Sequence, residues 1–117
     1  MQIQEKNLAD MLVIKPLVKR IDASFAAEFK TVISNRINSG NMKILLDLSE
    51  VDFIDSSGLG AIVAMLKTLG GKGSLTICGL KETVDTLFRL SRMDKIFRIF
   101  ASEEEALINF SREHQKE

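Results

Sequence analysis

An α/β fold is predicted, with a mixed, mostly parallel sheet, an antiparallel hairpin at its N-terminal edge and about four helices. Three observations predict it. Short apolar runs of strand type alternate with segments of helical periodicity. The first two strand-like runs are separated by only a few residues. The 117 residues, 45% of them apolar, suit one core.

The elements follow in chain order. Gln2 to Lys6 reads as a strand that turns at Asn7-Leu8-Ala9-Asp10 into the apolar run Met11-Leu12-Val13-Ile14, a hairpin. Asp22 is the cap expected for the first helix, with Ser24 the competing choice. Phe25, Phe29, Val32, Ile33 and Ile37 then recur at helical spacing up to a stop at Gly40. Lys43 to Leu48 suits a buried strand, and Ser49 to Asp55 a loop. A second helix carries Leu59, Ile62, Val63, Leu66 and Leu69 on one face and ends at Gly70-Gly71-Lys72-Gly73. Ser74 to Cys78 is strand-like, Glu82 to Ser91 helical with Val84, Leu87 and Phe88 inward, and Ile96 to Ile99 a last strand. Ser102-Glu103-Glu104-Glu105 has the pattern of a capping box opening a terminal helix, with Leu107, Ile108 and Phe110 as packing residues. No internal repeat or low-complexity tract interrupts this order, and the one proline is Pro16.

Bulk properties narrow the function. Lys plus Arg and Asp plus Glu each total 16, giving zero formal net charge, whereas nucleic-acid binding normally shows as a basic excess. The polar start Met1 to Lys6 lacks the pattern of a secretory signal, and no apolar stretch approaches the roughly 20 residues of a membrane span. A single cysteine makes no internal disulfide, so the cytoplasm is the expected location.

Conventional catalysis finds little material. The one histidine, His114, stands in a charged C-terminal stretch, and no base is evident beside a serine or cysteine nucleophile. Cys78 reads as a small buried thiol, and one His with one Cys is a poor start for a zinc site. No catalytic residue, metal or cofactor is expected. Gly70-Gly71-Lys72-Gly73 leaves a helix for a strand, opposite to a phosphate-binding loop. Gly58-Leu59-Gly60 does open a helix, but a dinucleotide fingerprint would need glycine where Val63 stands.

The segment Val51 to Gly60 is more informative. Val51 and Ile54 can anchor it to the core, which leaves Asp55-Ser56-Ser57 at the mouth of the second helix. Unpaired N–H groups there suit an anion, and a serine there can accept a phosphate from a kinase. Asp55, Ser56 and Ser57 are also all good capping types, so a plain helix cap accounts for one of them. It leaves the second serine and the two glycines unexplained.

Ile44-Leu45-Leu46-Asp47-Leu48-Ser49-Glu50-Val51-Asp52-Phe53-Ile54-Asp55-Ser56-Ser57-Gly58-Leu59-Gly60 resembles the signature of STAS domains, bacterial anti-sigma factor antagonists in particular. The similarity continues through Gly73 to Cys78, Leu87 to Ser91 and Asp94 to Phe97, and implies a single STAS domain over residues 1–117. It implies a partner-switching cycle rather than an enzyme. The unmodified antagonist binds an anti-sigma factor that is also a serine kinase, phosphorylation releases it, and a metal-dependent serine phosphatase restores it. By position the acceptor is Ser56, with Ser57 the fallback. The implied partner contacts are Asp22, Asp55, Ser57, Gly58, Gly60, Ala61 and Met65. Ala61 and Met65 lie off the Leu59-Ile62-Val63-Leu66 face, which suggests solvent exposure; a wider core stripe is the competing reading of Met65. Asp22 can equally be only a cap. Lys19-Arg20-Ile21-Asp22 departs from the family's usual Gly-x-Leu-Asp or Gly-x-Ile-Asp corner and places two cations near the serine. The alternative within this fold is a stand-alone regulator of secretion, biofilm formation or a transporter complex.

Overall fold

The computed structural model describes residues 2–115, with side chains described through residue 110, so His114 falls outside the described side chains. The chain runs β1 (Ile3–Leu8), β2 (Met11–Pro16), β3 (Arg20–Ile21), α1 (Ala23–Asn38), β4 (Lys43–Asp47), β5 (Phe53–Ile54) and α2 (Ser56–Leu69). It continues through β6 (Ser74–Cys78), α3 (Glu82–Leu90), a 3-10 turn (Met93–Lys95), β7 (Arg98–Phe100) and α4 (Glu103–Gln115). The main sheet has the order β1-β2-β4-β6-β7. The pair β1–β2 is antiparallel and the other three pairs are parallel, as the sequence predicts.

The hairpin closes tightly. Leu8 pairs with Met11, so Ala9 and Asp10 alone make the turn, and Ala9 adopts φ 54 to do so. The next strands are apolar at nearly every position because both sheet faces are covered. Side chains alternate across a strand, so Leu12, Ile14, Ile44, Leu46 and Ile77 share one core with Phe29, Ile33, Ile62, Met65 and Phe88 of the helices. Met11, Val13, Leu45 and Cys78 lie on the other face, packed with Ala106 of α4.

Three local expectations change. The segment Ser49 to Asp55 is not wholly a loop: Phe53–Ile54 pair in parallel with Arg20–Ile21 as a separate two-stranded ribbon. Two residues are too few for any alternation to register in the sequence. The last strand is Arg98–Phe100 rather than Ile96 to Ile99, because the 3-10 turn runs to Lys95 and leaves Ile96 half exposed. Among the described residues of α4 the buried one is Ala106, while Ile108 is 46% exposed. Leu107 and Phe110 pack as expected. Ser102 caps α4 as expected, its Oγ accepting from Glu105 N at 3.1 Å, while the reciprocal bond shifts by one residue, Glu105 accepting from Ala101 N at 3.3 Å.

A polar cluster ties α4 to the sheet. Asp47, at the end of β4, is the buried charged residue of the described core, and it shares a hydrogen bond with Glu103 at the start of α4. Burial alone would raise the Asp47 carboxyl, but the bonds from Glu103 and from the side chain and backbone of Ser49 outweigh it and hold Asp47 low. The bond to Asp47, followed by burial, pushes Glu103 up, and Lys6 sits 2.7 Å from Glu103 as partial compensation. Contact between the two carboxyls thus lowers Asp47 and raises Glu103, which makes Glu103 the member that takes up a proton first. The neighbouring Cys78 thiol is pushed up to about 12, chiefly by burial, so it is an inert packing group.

A carboxyl raised by folding favours the folded state at low pH, and that contribution is lost as pH rises through its folded value. Glu103→Gln, whose amide can donate to Asp47 at every pH, is therefore expected to match the parent at about pH 4 and to gain on it towards about pH 8. Melting temperatures across that range test this; a constant offset between the two proteins would show that folding does not raise Glu103.

Candidate functional site

The ribbon β3–β5 delivers the site. The Lys19 carbonyl accepts from Asp52 N at 2.7 Å and Phe53 N at 3.2 Å, and the Ile21 carbonyl accepts from Asp55 N at 3.3 Å. The inner residues Ile21 and Ile54 are buried, which fixes the ribbon to the core. Its outer residues face solvent: Phe53 is 40% exposed, with the Arg20 guanidinium 4.3 Å from its ring centroid. The loop is also pinned to the start of α3, where Lys81 Nζ meets Asp52 Oδ1 at 2.5 Å and Thr83 Oγ1 donates to the Asp52 carbonyl at 3.0 Å. The Lys81 bond first, and the charges of Lys81 and Lys19 after it, hold the Asp52 carboxyl below the usual range.

Asp55 is the cap of α2. Its Oδ1 accepts from Gly58 N at 2.9 Å, and its Oδ2 accepts from Ala23 N at 3.2 Å. One carboxylate thus serves the first turns of two helices, satisfying donors that helix starts leave unpaired. Asp22, rather than Ser24, caps α1: its Oδ1 accepts from Ser24 N at 3.1 Å and from Ser24 Oγ at 2.6 Å. The Ser24 bond is the main cause that lowers the Asp22 carboxyl.

With the cap assigned to Asp55, Ser56 and Ser57 become the first two residues of α2, and both are exposed. Among the described residues neither hydroxyl is engaged in a hydrogen bond. Both Asp55 oxygens are turned to backbone N–H groups, so this carboxylate is not aimed at Ser56 as a base. Among the described residues no group of three or more His, Cys, Asp and Glu side chains is placed to hold a metal ion.

Three of the expected contact residues are placed elsewhere. Met65 is fully buried and Ala61 is 6% exposed, so neither faces solvent. The inward stripe of α2 is Gly58, Ala61, Ile62, Met65 and Leu69, with Leu59, Val63 and Leu66 half buried beside it. The helix is packed over a wide arc because it lies against both the sheet and α1, and the sequence alone does not reveal that second neighbour. Gly58 does permit a close approach, but by the protein's own backbone: a Cβ there would lie 2.5 Å from the Ile21 carbonyl and 2.7 Å from Ile54 Cγ2. Gly60 is exposed with open space around it. Phe53 was not singled out by sequence, although buried Val51 and Ile54 around it imply that its side chain points outward.

The pattern of a parallel sheet, a detached ribbon and a capped α2 with paired serines is now matched by comparison. A family model for the STAS domain covers residues 2–106. The chain belongs to the STAS domain family. A Thermotoga neapolitana protein named "Putative anti-sigma factor antagonist TM1081 homolog" is 34% identical over 104 residues, 87% of this chain and 91% of that one. The Anti-sigma-B factor antagonist of Listeria monocytogenes is 31% identical over 80 residues, 68% of this chain and 70% of that one. The crystal structure of TM1081 from Thermotoga maritima matches with a TM-score of 0.86 at 30% identity, covering 92% of each chain. The STAS resemblance read from the sequence therefore holds over most of the chain. No helix among the described residues is long and apolar enough to cross a membrane.

The two glycines of this STAS domain are expected to respond oppositely to alanine. Gly58→Ala forces atoms apart at the ribbon and should cost about 1–3 kcal/mol. Gly60→Ala meets nothing and should stabilise α2 by about 0.5–1 kcal/mol through helix propensity. Urea titration of both variants checks this, and equal effects would mean that the ribbon yields at Ile21.

Proposed function

We propose that this STAS domain is a phosphorylation-controlled switch, and that its unphosphorylated form binds an anti-sigma factor that is also a serine kinase. In this reading the kinase moves the γ-phosphoryl group of ATP to Ser56 Oγ. The new oxygen–phosphorus bond replaces the bond to ADP, and the hydroxyl proton leaves to a base on the kinase. Release of the partner follows, and a metal-dependent serine phosphatase returns the chain to its binding form. The carrying observation is an exposed, unengaged Ser56 hydroxyl on the first residue of a helix whose cap is already supplied by Asp55. Ser57, equally exposed, is the alternate acceptor. The names of the relatives favour this reading over a stand-alone regulator of another pathway.

Asp22 and Asp55 shape the site, and Ser57 and Gly60 border the serine on its exposed side; these form the proposed docking rim, joined by the outward Phe53. Gly58, Ala61 and Met65 act from beneath it. A phosphoserine adds about −1.5 to −2 charges beside Asp22 and Asp55. A partner face that is apolar or acidic then meets repulsion and desolvation. A loss of about 3 kcal/mol raises a dissociation constant more than a hundredfold, with no refolding of the domain.

Intact-mass measurement after incubation with the cognate kinase and ATP is expected to show one added phosphate that Ser56→Ala abolishes. Phosphate retained by Ser56→Ala and lost by Ser57→Ala moves the acceptor by one residue, and phosphate on neither serine rejects the switch. Ser56→Asp is expected to weaken partner binding at least tenfold while leaving the circular dichroism spectrum unchanged; undiminished affinity in calorimetry would exclude electrostatic gating.

A further inference from the structure

Lys19 and Arg20 place two cations at the corner before α1, and the reading above leaves them without a role. Lys19 is held through its carbonyl, which takes two N–H bonds from the loop, and its charge lies near Asp52. Arg20 is different. Its side chain is 63% exposed, and its ion pair with Asp22 is long at 3.7 Å from Nε to Oδ2. Its planar group rests on the Phe53 ring rather than in a fork-to-fork pair with a carboxylate. The guanidinium is thus charged, accessible and weakly committed.

Its position bears on the switch. Arg20 is in register with Phe53, three residues before Ser56. Its partner Asp22 adjoins Ala23, whose N–H binds the same Asp55 that caps the helix of Ser56. A phosphate on Ser56 would find Asp22 and Asp55 around it, with Asp52 one strand residue before Phe53. The N–H groups of Ala23 and Gly58 are already taken by Asp55, and that of Ser24 by Asp22, which leaves those of Ser56 and Ser57 at the helix start to offset part of this charge. Lys81 is committed to Asp52. Among the side chains of the ribbon, the strong donor is the Arg20 guanidinium.

We propose that Arg20 is the internal receiver of the phosphate, leaving the Phe53 ring to form a charge-assisted pair with phosphorylated Ser56. This rests on the reading of Ser56 as the modified residue. The pair offsets the repulsion from Asp22 and Asp55, so that the modified domain stays folded. It also bares the face of Phe53, so that one chemical event alters both charge and apolar surface on the docking rim. Arginine suits the role because its fork can meet two phosphate oxygens, while the aromatic ring holds it ready without a competing strong bond.

The test installs phosphoserine at position 56 of the full chain by genetic encoding, so no kinase is needed. Phosphorus NMR then follows the second ionisation of the phosphate, ordinarily near about 6. A direct pair favours the dianion, so Arg20→Gln is expected to raise that ionisation by about half a unit or more relative to the parent. Lys19→Gln, which removes a neighbouring charge without removing the pair, should move it by less than half as much. The Nε resonance of Arg20 should also shift on phosphorylation. Equal ionisation in the parent and Arg20→Gln, or equal displacement by both substitutions, overturns the proposal. Should a kinase modify neither Ser56 nor Ser57, the reading of function fails while this measurement still decides the fate of Arg20.

Discussion

The geometry of the site depends on the Asp55 carboxylate. Its two oxygens bind N–H groups from separate helices, Gly58 in α2 and Ala23 in α1. Although α1 has its own cap in Asp22, the shared Asp55 acceptor ties its first residue to the first turn of α2. That tie leaves Ser56 and Ser57 as the exposed opening residues of α2. It also requires the absence of a side chain at Gly58, because the Ile21 carbonyl lies where a Cβ would be. Cap, ribbon and glycine form one constraint, and the exposure of the serines follows from it.

The second polar tie, between Asp47 and Glu103, works on the opposite face of the sheet. There the interaction is with α4, and Lys6 of the hairpin completes it. The two carboxylate centres therefore have different physical characters. Asp55 is satisfied by neutral backbone donors. Asp47 is bonded to a second carboxyl, Glu103, which is pushed up by that contact. The fold keeps the two carboxylate centres on separate faces of the sheet.

Much of this was legible in the sequence, for identifiable reasons. Continuous apolar runs such as Ile44 to Leu46 mark strands covered on both faces, and Asp22, Ser102 and Glu105 declare helix starts through their side chains. The capped start of α2 was legible as a set of three candidates, and only coordinates single out Asp55. The ribbon was not legible, since two-residue strands leave no period to detect. The burial of Ala61 and Met65 was hidden for another reason. A helix wedged between a sheet and a second helix buries more than one stripe, and the second neighbour is a property of the assembled fold. Sequence residues that suggest a partner's access, Gly58 among them, can instead mark where the chain approaches itself.

The detached ribbon has a consequence for how such regulators diversify. It shares only two residue pairs with itself and none with the main ladder, and its inner side chains alone enter the core. Changes at positions 20 and 53 therefore alter the outward surface of the ribbon at little risk to folding. A genome could keep several copies of this scaffold side by side, each told apart by a few outward side chains, without redesigning the body that presents them.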